Sequence, residues 1–132
     1  MTYPALTAFY AGLFALIYVG LSVWVMASRV TSDTLHGDGS NEALEKRIRT
    51  QGNFGEYVPV ALLLVALLEA GGGSPTLVRI LLIVLLVGRL LHPIGMFAAK
   101  NSPVQFACRG GGILATLGVV AVTAVALLLR QG

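Results

Sequence analysis

The chain has 132 residues, 56% of them apolar and only 11% charged, and soluble domains carry roughly 25% charged residues. So few charges cannot build a water-facing surface, which excludes a soluble enzyme, a nucleic-acid binder and a disordered chain and leaves an integral membrane protein. Nine Lys and Arg against six Asp and Glu give a formal charge of +3, which in such a protein reflects basic cytoplasmic loops.

The first apolar run extends from Tyr3 to Val30, with no charge before Arg29. It is long enough to cross a hydrocarbon layer of roughly 30 Å at about 1.5 Å per residue. It lacks the basic leader and short apolar region of a cleavable signal, so an uncleaved first span is expected over about 4–30. Residues 31–52 are polar, with Gly37 and Gly39 marking a flexible loop. His36 falls in this loop and is expected to be solvated. From Ser40 the pattern turns helical: Ser40 or Asn41 can cap it, and Glu42 falls in its first turn. That helix runs into the apolar stretch Tyr57–Leu68, giving a second span over about 42–69. Gly71, Gly72, Gly73 and Pro75 make a tight connection to an antiparallel third span, about 77–99. Lys100, Asn101, Ser102 and Pro103 break the third span, and the fourth covers about 104–129. The whole of 1–132 therefore reads as one all-α, four-helix transmembrane domain.

Four spans put the first and third loops on one side. Arg29, Lys46, Arg47, Arg49, Lys100 and Arg109 lie there, six basic residues against two, Arg79 and Arg130, near the other side. The positive-inside rule then places loops one and three in the cytoplasm and both termini outside. The lone cysteine, Cys108, excludes an intrachain disulfide and a multi-cysteine metal site, and is expected to serve small-residue packing. His36 and His92 cannot by themselves make a structural zinc site. No metal is expected.

Two sets of polar residues sit where lipid penalises them. On the second helix Glu45, Arg49, Asn53 and Glu56 fall within roughly 80° of one another at about 100° per residue. Tyr57 lies beside them and Gln51 points the opposite way. On the third helix Arg89, His92, Met96 and Lys100 form a second stripe. An arginine at mid-membrane costs on the order of 2.5–3.5 kcal/mol, so Arg89 should face the bundle interior and pair, with Glu56 the obvious partner. One reading is an Arg49–Glu56–Arg89 ion-pair network that only holds helices together. The number of polar groups favours a ligand pocket instead. Arginine forks bind carboxylates bidentately, and Glu56 can accept an ammonium. Gly110, Gly111, Gly112 and Gly118 are expected to let helices approach closely. Pro59 and Pro93 are tolerated kinks. Trp24 is packed or in the interfacial belt, and Glu69 snorkels or caps at a span end.

The segment Arg49-Thr-Gln-Gly-Asn-Phe-Gly-Glu-Tyr-Val-Pro59 resembles the second-span signature Arg-x-Gln-x-Asn-x-x-Glu-Tyr-x-Pro of the MAPEG family, the membrane-associated proteins in eicosanoid and glutathione metabolism. It is particularly similar to the leukotriene synthase branch. Gly88-Arg89-Leu-Leu-His92 resembles the third-span motif of prostaglandin E synthases and many bacterial members. The resemblance implies a homotrimer of four-helix subunits that binds glutathione, bent, between subunits near the cytoplasmic face. Arg49, Asn53, Glu56 and Tyr57 match glutathione-contacting positions, and Arg89 and His92 match third-span positions lining the same pocket. It further implies a fourth-span arginine that stabilises the thiolate; that place falls near Gln105 without a gap and on Arg109 after a short shift. Arg109 is the preferred candidate, with Arg89 as a second catalytic cation beside it. Where family enzymes often carry a tyrosine one turn after the His92 position, this chain has Met96, which cannot donate the same hydrogen bond.

The function implied is a glutathione-dependent transferase or peroxidase for small lipophilic electrophiles arriving from the bilayer. A bacterial-type member in the inner membrane is expected, with its site facing the cytoplasm. The alternative is a non-catalytic subunit that keeps the scaffold. A small multidrug transporter of similar length would place a carboxylate in its first span, and residues 4–28 contain no acid.

Overall fold

In the computed structural model, which describes residues 1–130, the chain forms four long helices and no strand among the described residues. They are α1 (Ala5–Thr31), α2 (Glu42–Ala70), α3 (Pro75–Phe97) and α4 (Gly111–Leu129), the last preceded by a π-helical stretch, Gln105–Gly110. The single domain expected over 1–132 is thus described as far as residue 130. All four spans are long and apolar enough to cross a membrane. Their ends fall within two residues of the expected boundaries.

The helices begin where local chemistry satisfies their first amides. Asn41, rather than Ser40, caps α2: its side chain accepts from the Leu44 amide at 3.1 Å. Ser74 caps α3, with Pro75 at the first helical position. Pro59 and Pro93 lie inside continuous helices, as membrane helices tolerate. Loop one is fastened as well as glycine-rich. Gly37 and Gly39 take left-handed backbone with φ of 66° and 57°, and Arg29 Nη1 donates to the Gly37 carbonyl at 2.7 Å.

The core is a seam of Phe14 from α1, Phe54, Val58 and Val65 from α2, Leu82 and Leu85 from α3, and Val119 from α4. Outside that seam large apolar side chains are exposed on every helix, among them Leu16, Leu63, Leu90 and Leu114. Water would penalise that surface, and lipid would not. At the basic end Arg47 stacks 5.0 Å over the Trp24 ring and donates to the Ser28 hydroxyl. Trp24 in turn packs on Phe97. Arg47 is therefore spent on packing α1, α2 and α3 together.

The opposite end is closed by Glu69. Its carboxylate accepts from the Leu6 amide at 2.9 Å, the Thr7 amide at 2.8 Å and the Thr7 hydroxyl at 2.7 Å. Pro4 supplies no side-chain cap to α1, so Glu69 does this from α2, satisfying orphan amides and opposing the helix dipole. Glu69→Ala should lower stability by about 1–2 kcal/mol, read as a fall in thermal midpoint in detergent. An unchanged midpoint would show the clasp to be idle.

Helices α3 and α4 touch backbone to backbone. A Cβ on Gly112 would lie 2.6 Å from the Gly88 carbonyl oxygen, and one on Gly95 would lie 2.6 Å from Arg109 Cα. Of the glycines expected to permit close approach, only Gly112 does so among the described residues. The Cβ positions of Gly110, Gly111 and Gly118 meet nothing within 4 Å. The residues opposite are Gly88 and Gly95, in the third span.

Candidate functional site

The fourth span opens with two reciprocal bonds. Ser102 Oγ accepts from the Gln105 amide at 3.2 Å, and Gln105 Oε1 accepts from the Asn101 amide at 2.8 Å. This is close to a capping box, and it commits the Gln105 side chain to the helix start. The π-helical stretch Gln105–Gly110 contains Arg109. Such stretches shift the angular register of the residues after them, and here Gly95 lets the Arg109 backbone lie directly against α3.

Arg109 lines a cavity of about 230 Å³ with Arg49, Asn53 and Glu56 of α2 and His92 and Met96 of α3. Ile48, Gly52 and Ile113 complete its wall. An adjoining pocket is lined by Glu42, Glu45, Lys46 and Gln105, and it shares Arg49, Met96 and Arg109 with the first. Cavity and mouth therefore form one polar recess at the end of the bundle that carries loops one and three. Of the two fourth-span candidates, Arg109 lines the inner cavity and the mouth, whereas Gln105 lines only the mouth.

Arg89 is placed differently. It is 2% exposed, and its Nη1 donates to Asn53 Oδ1 at 2.7 Å. Its Nε and Nη2 are buried without a partner. The expected pairing with Glu56 does not occur, because Asn53 lies one turn before Glu56 and supplies the acceptor Arg89 meets. The ion-pair network is likewise absent. Among the described residues the one ion pair is Lys46–Glu42, an i,i+4 pair at the mouth. Arg49, Glu56 and Arg109 are thus not neutralised by one another, as helix glue would require.

Tyr57 and Lys100 stand apart from the recess. Tyr57 is half-buried and is not among the residues lining either pocket. Lys100 leaves the α3 stripe because the helix ends at Phe97 and Ala98 is extended, with ψ of 158°. Gln51 does point the opposite way, donating to Ser22 Oγ at 3.3 Å on α1. Sequence reasoning misses Gly52, although it lies three residues after Arg49 on the same helix face. A helical projection could have found it.

The family profile that matches this chain covers residues 7–129 and is that of the MAPEG family. The chain belongs to the MAPEG family. It is similar to the inner membrane protein YecN of Escherichia coli strain K12, 39% identical over 89 residues, 67% of this chain and 68% of that protein. YecN of Escherichia coli O6:H1 strain CFT073 matches to the same extent. No solved structure matches the chain. The MAPEG-like second-span residues Arg49, Asn53 and Glu56 are those that line the cavity. The third-span residues Arg89 and His92 divide, His92 lining it and Arg89 standing behind Asn53.

Proposed function

We propose that this MAPEG protein is a membrane-bound, glutathione-dependent transferase or peroxidase acting on lipophilic electrophiles. The observation that carries the reading is the convergence of Arg49, Glu56 and Arg109 on one cavity without ion pairs among them. Two cations and one carboxylate complement a peptide that bears two carboxylates and an ammonium. Arg49 would take a carboxylate, Glu56 the ammonium, and Asn53 and His92 neutral hydrogen bonds; Tyr57, which lines neither pocket of the single chain, is assigned no contact. Bound there, glutathione supplies a thiol that can act as nucleophile or two-electron reductant. Arg109 favours its thiolate form, because a guanidinium in a low-dielectric recess stabilises the adjacent anion. Arg89, with two unbonded nitrogens, adds positive charge behind Asn53. The exposed apolar flanks of the helices open the site to substrates dissolved in lipid.

The reading includes a homotrimer with the recess closed by a neighbouring subunit, consistent with an Arg109 that is exposed in the single chain. It also includes a bacterial inner membrane, supported by the similarity to the inner membrane protein YecN, with the recess in the cytoplasm and both termini outside by the distribution of basic residues. A non-catalytic subunit is the second reading, favoured by Met96 in the cavity wall, where a thioether offers no hydrogen-bond donor. The test is conjugation of a chlorinated nitroaromatic, and reduction of a lipid hydroperoxide, by detergent-purified protein with glutathione. Turnover in either assay supports the transferase or peroxidase. Glutathione binding without turnover supports the second reading.

A further inference from the structure

The Arg89–Asn53 pair fixes what the cavity asks of its ligand. A side-chain amide has two ends, an acceptor oxygen and a donor NH2. Asn53 lines the cavity, and its Oδ1 is taken by Arg89 Nη1 at 2.7 Å. Its Nδ2 has no partner among the described residues and is not among the buried unpaired atoms, so that end remains accessible. The opposite orientation is opposed by Arg89 itself. This is the one hydrogen bond that Arg89 makes among the described residues, its Nε and Nη2 being buried and unpaired. Turning the amide over would set N–H groups against a guanidinium that has only donors. It would also leave that cation without any acceptor in an apolar interior.

We infer that Arg89 is a positioning residue that locks the Asn53 amide with its NH2 directed into the cavity, so that this position selects an acceptor oxygen of the ligand, a carboxylate or carbonyl, and rejects an ammonium. The inference rests on the proposed glutathione site for the ligand's identity and on the hydrogen bond alone for the lock. It divides the cavity chemically: Glu56 accepts from the ligand, while Asn53 donates to it. Arg89 acts through Asn53 rather than by touching the ligand.

Asn53→Asp separates the two orientations by sign. The carboxylate keeps an acceptor for Arg89, and strengthens it to an ion pair, but removes the donor facing the ligand. Thermal midpoints and glutathione titrations are measured on detergent-purified wild type, Asn53→Asp, Arg89→Met and the double variant. The expected result is an Asn53→Asp protein at least as stable as wild type that binds glutathione about tenfold or more weakly, a loss comparable to a charged group left unpaired. Arg89→Met should weaken binding while leaving the cavity wall intact. Equal or tighter glutathione binding by Asn53→Asp would overturn the inference, since it would mean that the position faces an ammonium, while leaving glutathione as the ligand. Failure of wild type to bind glutathione removes the ligand assignment instead. The midpoints then decide the lock: an Asn53→Asp midpoint that holds or rises with Arg89 but falls in the Arg89→Met background supports it, and equal changes in both backgrounds overturn it.

Discussion

Arg109→Ala should bind glutathione nearly as well as wild type and turn over at least about a hundredfold more slowly, the loss typical when a preorganised group facing a developing anion is removed. The reason lies in the division of the cavity. Arg49 and Glu56 come from α2 and Asn53 is held by Arg89, whereas Arg109 comes from the fourth span and is presented by a π-helical stretch pinned against Gly95. A free thiol is mostly protonated at neutral pH, with a pKa of roughly 8.5. Removing the cation should therefore shift the pH dependence of turnover upward as well as lower its plateau. The ultraviolet absorbance of bound thiolate, followed against pH, reads this directly. A variant with wild-type turnover and an unmoved pH profile would assign thiolate formation to a group other than Arg109. Arg109→Lys keeps a charge but loses the planar fork, and should recover part of the rate.

The second large effect is expected from one methyl group. Gly95→Ala should destabilise the protein by about 3 kcal/mol, at the upper end of overpacking costs, because the added Cβ falls 2.6 Å from Arg109 Cα. The obstacle is backbone, which cannot rotate aside as a side-chain tip can. Gly12→Ala is the control. Its Cβ meets nothing within 4 Å, and alanine is the better helix former by about 1 kcal/mol. Thermal unfolding of the two variants in the same detergent should separate them clearly. If Gly95→Ala melts with Gly12→Ala, the third and fourth spans do not approach as described, and the placement of Arg109 falls with that packing. A folded Gly95→Ala protein should lose turnover before it loses glutathione binding, since the displaced element carries Arg109 and not Arg49 or Glu56.

The four spans are legible because hydropathy over some twenty residues is a strong signal that needs no tertiary information. The start of α2 is legible to within Ser40 or Asn41 for a similar reason: capping is local. The helical projection also brings Arg49, Asn53 and Glu56 to one face, and His92 and Met96 to another, and those five residues do share the cavity. It fails where the period changes or the helix stops. Lys100 projects onto a helix that in fact ends at Phe97. The choice between Gln105 and Arg109 stays open in the sequence because a π-helical stretch breaks the 100° step between them and the rest of α4. Pairing across helices is beyond the sequence altogether. Whether Arg89 meets Asn53 or Glu56 depends on the relative height of two helices by a single turn. Glu69 carries no long-range signal in the sequence, yet its clasp on α1 spans 62 residues of chain to Thr7. Gly95 stands in an ordinary apolar run with nothing to mark it as a crossing point.

The recess bounded by Arg49, Glu56 and Arg109 is proposed as a glutathione site, and everything said of turnover depends on it. Isothermal titration of glutathione into detergent-purified protein, alongside Glu56→Ala, tests it most directly. Saturable binding by wild type is expected, with a loss of about tenfold or more in Glu56→Ala, where the ammonium of the ligand would be left without its carboxylate. Absence of binding by folded wild-type protein at millimolar glutathione, or binding indifferent to Glu56, would contradict it.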